Sequence, residues 1–227
     1  MFLNSSELIL CRTWRAFTCS LSFYLGNDLT VHKVVGAGPS GLILALQLAR
    51  AGVQCTLLDS GHGVDERPRA AHYMPCAVQE MRRAGVLDDV RAQGLIPGDI
   101  CWRKLDHSII ARMKDSSQVN NPDALTVLPL GDLGKILVNH CEKYPNITLL
   151  WDHSVDKFEQ NATSVTLFGK KSGGQKFELK GDYLCGTDGG NSTIRKLLFG
   201  SEFRGHSWPV QIIATNVGIL HKCSDAG

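Results

Sequence analysis

The chain has 227 residues, with 24 Lys and Arg against 22 Asp and Glu, a formal charge of +2. Hydrophobic residues make up 43% and charged residues 20%, the balance of an ordinary globular protein with a core to bury. This excludes a disordered polymer, a collagen-like repeat and a coiled-coil rod, and so small a net charge gives a nucleic-acid role no support.

Residues 1–30 hold two apolar runs, Leu8–Leu10 and Phe17–Leu25, broken by Arg12, Arg15, Thr18 and Ser20. Neither reaches the roughly 20 residues that cross a bilayer. Glu7 precedes Arg12, whereas a secretory signal places its positive charge before its apolar core. The segment reads as an extension outside the fold, without stable membrane insertion. The eight cysteines are spread along the chain with no C-x-x-C pair and no zinc-ligand spacing. They read as buried free thiols of a reducing, cytoplasmic compartment, and no metal site is expected.

Regular structure begins at Val31. Val31–Val35 is a short strand-like run that ends in Gly36. Gly36-Ala37-Gly38-Pro39-Ser40-Gly41 opens a helix, with Leu42, Ala45, Leu46 and Ala49 at helical spacing and Gly52 as its stop. Val53–Leu58 is a second strand, ending in Asp59. Residues 60–73 read as a Gly- and Arg-rich loop, and Ala77–Ala84 as a helix stopped by Gly85. Ile100–Arg103 and Ile109–Arg112 flank a turn and predict a hairpin, and 114–123 reads as loop. Asp132 is placed to cap a helix running to about Tyr144. Thr148–Trp151, Val155–Phe158, Ser164–Phe168 and Lys176–Leu179 together predict a small antiparallel meander. Tyr183–Cys185 is a further buried strand, ending in Gly186-Thr187-Asp188-Gly189-Gly190, and Asn191 or Ser192 can cap a helix through Phe199. Gln211–Leu220 reads as one more strand. The class is α/β with a β-rich insertion.

The chemistry concentrates at Gly36-x-Gly38-x-x-Gly41. Gly36 permits a tight strand exit, Gly38 lets a pyrophosphate approach the backbone, and Gly41 lets the helix pack close to the sheet. The free N–H groups and the positive end of the helix dipole then face the phosphates. Asp59 follows Gly41 by 18 residues, at the end of the next strand, where a carboxylate accepts hydrogen bonds from a ribose diol. A carboxylate there disfavours a 2′-phosphate, so NADP does not suit this pocket. The fingerprint alone does not separate NAD from FAD.

Three motifs in order carry a family resemblance: Gly36–Gly41, Glu66-Arg67-Pro68-Arg69-Ala70, and Gly186-Thr187-Asp188-Gly189-Gly190-Asn191-Ser192-Thr193-Ile194-Arg195. Together they resemble the class A FAD-dependent aromatic hydroxylases, the para-hydroxybenzoate and phenol hydroxylase-like monooxygenases. Residues 67–103 and Trp208–Val217 are most similar to fungal members. The resemblance covers about Val31 to Ile219. It implies a Rossmann-like FAD/NAD(P)-binding fold over 31–200 with an antiparallel β-meander. The 97–115 hairpin would join a substrate-domain sheet that begins again at 201–227.

The resemblance also implies roles. Gly36, Ala37, Gly38, Pro39, Ser40 and Gly41 would hold the FAD pyrophosphate, and Asp59 the adenosine ribose. Arg67 or Arg69 would reach the cofactor with a donor fork suited to phosphate. Asp188 and Gly189 match the family's Asp-Gly motif, which serves FAD and the reductant NAD(P)H. The implied activity is NAD(P)H-dependent hydroxylation of a small, aromatic-type substrate through a flavin hydroperoxide. No catalytic side chain is nominated; His72 and Tyr73 lie near the expected flavin loop. Two departures stand out. Leu130 occupies a position where many relatives carry a flavin-contacting Gln, and the chain stops at Gly227, before the family's later Gly-Asp motif. The expectation is therefore a C-terminally shortened monooxygenase. A non-catalytic FAD- or partner-binding remnant is the alternative, and an NAD-linked reductase a third reading.

Overall fold

The structure is a computed structural model that describes residues 2–4, 7–9, 31–67, 69, 71–114, 121–203, 205–206 and 209–210. Two short strands, β1 (Phe2–Asn4) and β2 (Glu7–Ile9), come from the N-terminal extension. The body follows with β3 (Val31–Val35), α1 (Pro39–Arg50) and β4 (Gln54–Leu58). Next are β5 (His72–Tyr73), α2 (Pro75–Ala84), α3 (Leu87–Gln93), β6 (Asp99–Arg103), β7 (Ile109–Lys114) and β8 (Thr126–Val127). Then come α4 (Leu130–Cys141), β9 (Ile147–Leu150), β10 (His153–Gln160), β11 (Val165–Lys171), β12 (Lys176–Gly181), β13 (Tyr183–Gly186) and α5 (Thr193–Phe199).

The main sheet has the order β2-β1-β13-β3-β4-β9. β13, β3, β4 and β9 run parallel, while β1 pairs antiparallel with β2 and with β13, Phe2 opposite Cys185. A parallel sheet must be covered on both faces. Here one face carries helices: Val34, Cys55, Leu57 and Cys185 pack with Leu42, Leu46, Met81, Leu133 and Leu137. The other carries the β10-β11-β12 meander and α5, through Val35, Leu58 and Leu184 against Val155, Leu167 and Ile194. α1 is apolar almost all round because it is buried between β3, β4, α2 and α4. Among the described residues, no helix is long and apolar enough to cross a membrane.

The strand, Gly turn, helix, strand order from Val31 to Asp59 forms as expected, and Gly52 (φ 82°) and Gly85 (φ 76°) end their helices in the left-handed region. Three expectations are corrected. The N-terminal extension does not lie wholly outside the fold, because β1 joins the main sheet beside β13. The 148–151 run is β9, and it lies in the main sheet beside β4, not in the meander. The preceding α4 packs on α1, so the chain returns as a parallel crossover strand. Asn146 pins that return: its Nδ2 donates to the carbonyls of Ala49 at 3.0 Å and Val53 at 2.9 Å.

Asp132 does not cap α4, which starts two residues earlier with Pro129 at its N-cap and no side-chain capping bond. Asp132 sits in the first turn instead, where its charge suits the helix dipole. α3 went unread because it is seven residues long and buries only Leu87 and Val90, too few for a periodic signal. The 211–220 strand expectation lies outside the described residues.

Candidate functional site

A cavity of about 640 Å³ opens at the carboxyl ends of β3, β4 and β13. Gly36, Ala37, Gly38, Pro39, Asp59, Arg67, Arg69, Asp188 and Gly189 all line it. Carboxyl strand ends where the order of a parallel sheet reverses are the usual ligand crevice of such folds.

Each glycine of the turn meets a different constraint. Gly36 has φ 106°, and a Cβ there would lie 2.5 Å from the Thr187 carbonyl oxygen and 2.6 Å from Asp188 backbone. It is glycine because the exits of β3 and β13 touch. At Gly41 a Cβ would lie 2.0 Å from the Gly36 carbonyl oxygen, so α1 could not start so close to the strand. Gly41 is buried behind the turn and, like Ser40, does not line the cavity. Gly38 differs: its backbone is extended (φ −72°, ψ 177°) and a Cβ would meet nothing within 4 Å. No protein contact requires a glycine there; the open space belongs to the cavity. Gly38 is also the N-cap of the 12-residue α1 and supplies no side-chain cap, so the helix's first-turn N–H groups are left for another acceptor.

Thr187 joins the two Gly-rich segments. Its hydroxyl lies 2.9 Å from the Val35 carbonyl oxygen and 2.8 Å from that of Gly36, one proton shared between them. Asp59 closes the turn from the other side. Its Oδ2 accepts from the Ala37 N–H and its Oδ1 from the Gly61 N–H, both at 2.7 Å. A carboxylate has lone pairs beyond these two, so it retains capacity for a hydroxyl partner.

Asp188 is chiefly a helix cap. Its Oδ1 accepts from the Ser192 hydroxyl at 2.5 Å, and its Oδ2 from the N–H of Thr193 at 2.6 Å and of Ile194 at 3.1 Å. Ser192 then accepts from the Arg195 N–H at 2.9 Å, so the anticipated Ser192 cap forms with Asp188 behind it. Gly189 turns with φ 80° into open space at the rim.

Arg67 and Arg69 come together on one carboxylate, that of Asp65, which also lines the cavity. Hydrogen bonds from Arg67, then Arg69, hold the Asp65 carboxyl well below the usual carboxylate range. Leu130 lines the cavity at the start of α4, where the family resemblance placed it. His72 is exposed on β5, and Tyr73 packs against the helix-side core with its phenol pushed up to about 12 by burial; neither lines the cavity.

The wall formed by Trp151, His153, Ser154 and Val155 was not anticipated. It comes from the corner between β9 and β10. There Asp59 N–H donates to the Leu150 carbonyl at 3.0 Å, His153 N–H to that of Asp59 at 2.8 Å, and Asp152 N–H to that of Gly61 at 2.9 Å.

Residues 28–224 match the family described as FAD binding domain. Para-nitrophenol 4-monooxygenase of Pseudomonas sp. (strain WBC-3) is 33% identical over 186 residues, covering 81% of this chain and 46% of the relative. 6-Hydroxy-3-succinoylpyridine 3-monooxygenase of Pseudomonas putida (strain DSM 28022 / S16) is 34% identical over 186 residues, covering 81% and 47%. Among solved structures, p-nitrophenol 4-monooxygenase from Pseudomonas putida DLL-E4 superposes with TM-score 0.69 at 33% identity, over 74% of this chain and 43% of that one. A ternary complex of aklavinone-11 hydroxylase with FAD and aklavinone superposes with TM-score 0.66 at 26% identity, over 77% and 35%. The chain thus spans about half, or less, of the length of these relatives. With the glycine turn, Asp59 and the Asp188-Gly189 exit converging on one cavity, the chain belongs to the FAD binding domain family, among relatives that are flavoprotein monooxygenases of the aromatic hydroxylase type.

Proposed function

We propose that this chain is the FAD-holding part of an NAD(P)H-dependent monooxygenase that hydroxylates a small aromatic or related molecule. The observation that carries the reading is Gly38: a residue with no side chain, in an unstrained extended conformation, facing empty space at the open end of α1. A diphosphate is the chemistry that needs such an approach. When bound, FAD supplies the chemistry of taking electrons from NAD(P)H and activating dioxygen.

The chain's own residues bind and orient. The 36–41 turn donates backbone N–H groups to the phosphates. Asp59 accepts from the ribose hydroxyls with the lone pairs that Ala37 and Gly61 leave free. Arg67 and Arg69 add positive charge, and Asp188 fixes the rim on which Gly189 presents its backbone. Leu130 presents an apolar surface where the resemblance places flavin. In this reading residues 31–200 form the FAD domain, the β6–β7 hairpin contributes to a substrate sheet, and 201 onward begins the substrate domain. Three buried free thiols, Cys55, Cys141 and Cys185, suit a reducing, cytoplasmic setting.

The test is to purify the protein, add FAD, remove the excess and record the visible spectrum. We expect near-stoichiometric flavin absorbance, and NAD(P)H oxidation stimulated by phenolic compounds in the protein carrying its substrate domain. Failure to retain flavin would overturn the assignment.

A further inference from the structure

Three carboxylates line the cavity, and they are held in different ways. Asp59 is fixed by backbone N–H groups at the glycine turn, and Asp188 by the amino end of α5. Asp65 is held mainly by arginine side chains. Its Oδ1 accepts from Arg67 Nε at 2.7 Å, and its Oδ2 from Arg67 Nη2 at 2.8 Å and Arg69 Nη2 at 3.2 Å. One longer backbone bond, from Arg67 N–H at 3.1 Å, completes the turn.

Toward an arginine fork, carboxylate and phosphate are equivalent partners. We infer that Asp65 is an internal counter-anion of the phosphate subsite: it occupies Arg67 and Arg69 until a diphosphate takes them, and thereby lowers the affinity of the empty site. The inference rests on the reading that these two arginines meet the FAD diphosphate.

The geometry makes this contact displaceable. The side chains are 37% (Asp65), 76% (Arg67) and 53% (Arg69) exposed, and ion pairs this open to water contribute little net stability. A diphosphate brings more charge and more acceptor oxygens to the same forks. The loop that carries Asp65 is nevertheless anchored on both sides. Val64 packs into a notch of α4 where a Cβ on Gly134 would lie 2.5 Å from Val64 Cγ1, and the Glu66 backbone lies on the same helix, its Cα 3.3 Å from where a Cβ on Gly131 would stand. Held between these anchors, Asp65 stays beside the cavity after losing its arginines, and its charge then opposes the bound diphosphate. Removing that charge helps the ligand twice, by freeing the forks and by ending the repulsion.

The experiment measures FAD affinity of the full chain from flavin fluorescence, with ADP and adenosine as competitors. Asp65→Asn is expected to bind FAD and ADP several-fold more tightly than the wild type and adenosine equally. The gain should shrink in high salt, and shrink further when Arg67→Gln is added, leaving the part owed to Arg69 and to the ended repulsion. Unchanged or weaker FAD binding by Asp65→Asn overturns the inference. A variant that melts lower than wild type is replaced by Asp65→Ser and read by the same criteria. Absence of binding in wild type and variant alike overturns the phosphate-site reading and the counter-anion with it; loss in the variant alone overturns only the latter.

Discussion

Gly38→Ala should weaken FAD binding without weakening the fold. Gly38 already has an extended backbone, so alanine needs no rearrangement, and its Cβ would meet no protein atom within 4 Å. Two small effects on stability then oppose each other. Alanine restricts the unfolded chain, which stabilises by about 0.4–1 kcal/mol. It is also a poorer N-cap than glycine, by about 0.5–1 kcal/mol. The net change should stay within about 1 kcal/mol. The added methyl group projects into the space that a diphosphate must enter to reach backbone donors. Losing one such charge-assisted hydrogen bond costs about 1.5–3 kcal/mol, a roughly 10- to 150-fold rise in the FAD Kd.

The contrast with Gly41→Ala makes the measurement decisive. Here the Cβ would lie 2.0 Å from the Gly36 carbonyl oxygen and 2.7 Å from Thr187 Oγ1, inside a packed turn. Overpacking of this kind costs about 1–3 kcal/mol or more, so this variant should unfold at clearly lower denaturant. Urea titrations and flavin fluorescence on both variants separate the two roles. Wild-type FAD affinity in Gly38→Ala would refute the placement of the diphosphate. A stability loss in Gly38→Ala equal to that of Gly41→Ala would refute the claim that its surroundings are open.

Asp188→Ala removes acceptors from the N–H groups of Thr193 and Ile194 and should cost about 1–2 kcal/mol, with faster amide exchange at the start of α5; unchanged protection of those two amides would sink the cap assignment. His32 is 4% exposed, neither ring nitrogen has a partner among the described residues, and burial lowers its pKa from 6.5 to about 4. The unfolded state therefore binds a proton that the folded state refuses between those values. Stability is full above pH 6.5 and falls by about 3 kcal/mol as the pH drops to about 4; a His32→Leu variant with the same decline in urea midpoint would assign the loss to other groups.

The glycine turn was legible because its three glycines fall within six residues at a recognisable spacing, even though Gly36 answers to the distant Thr187 and Asp188. A strand exit and a helix start need particular backbone freedom within six residues, and the spacing records it. β9 was misplaced for the opposite reason. A four-residue apolar run looks the same in a meander and in a parallel sheet, and its partner is decided by α4 packing on α1, far off in sequence. The Trp151–Val155 wall was hidden by its own corner. Asp152 adopts φ 62° there, so the turn forms without a glycine to announce it. The Asp65–Arg67–Arg69 cluster was half visible: the arginines resembled a motif, but nothing in the spacing says that one carboxylate holds both.

The two Gly-rich segments, read as separate motifs, are one structural unit. Gly36 is glycine because Thr187 and Asp188 occupy the space its Cβ would need. Thr187 in turn holds the carbonyls of Val35 and Gly36 across 151 or more residues of chain, and its Oγ1 is also what a Cβ on Gly41 would strike. Neither segment can change shape without the other, so the phosphate turn is built by β13 as much as by β3. The fingerprint at the end of β3 therefore needs a partner at the exit of the neighbouring strand, and here that partner is the Thr187-Asp188-Gly189 segment.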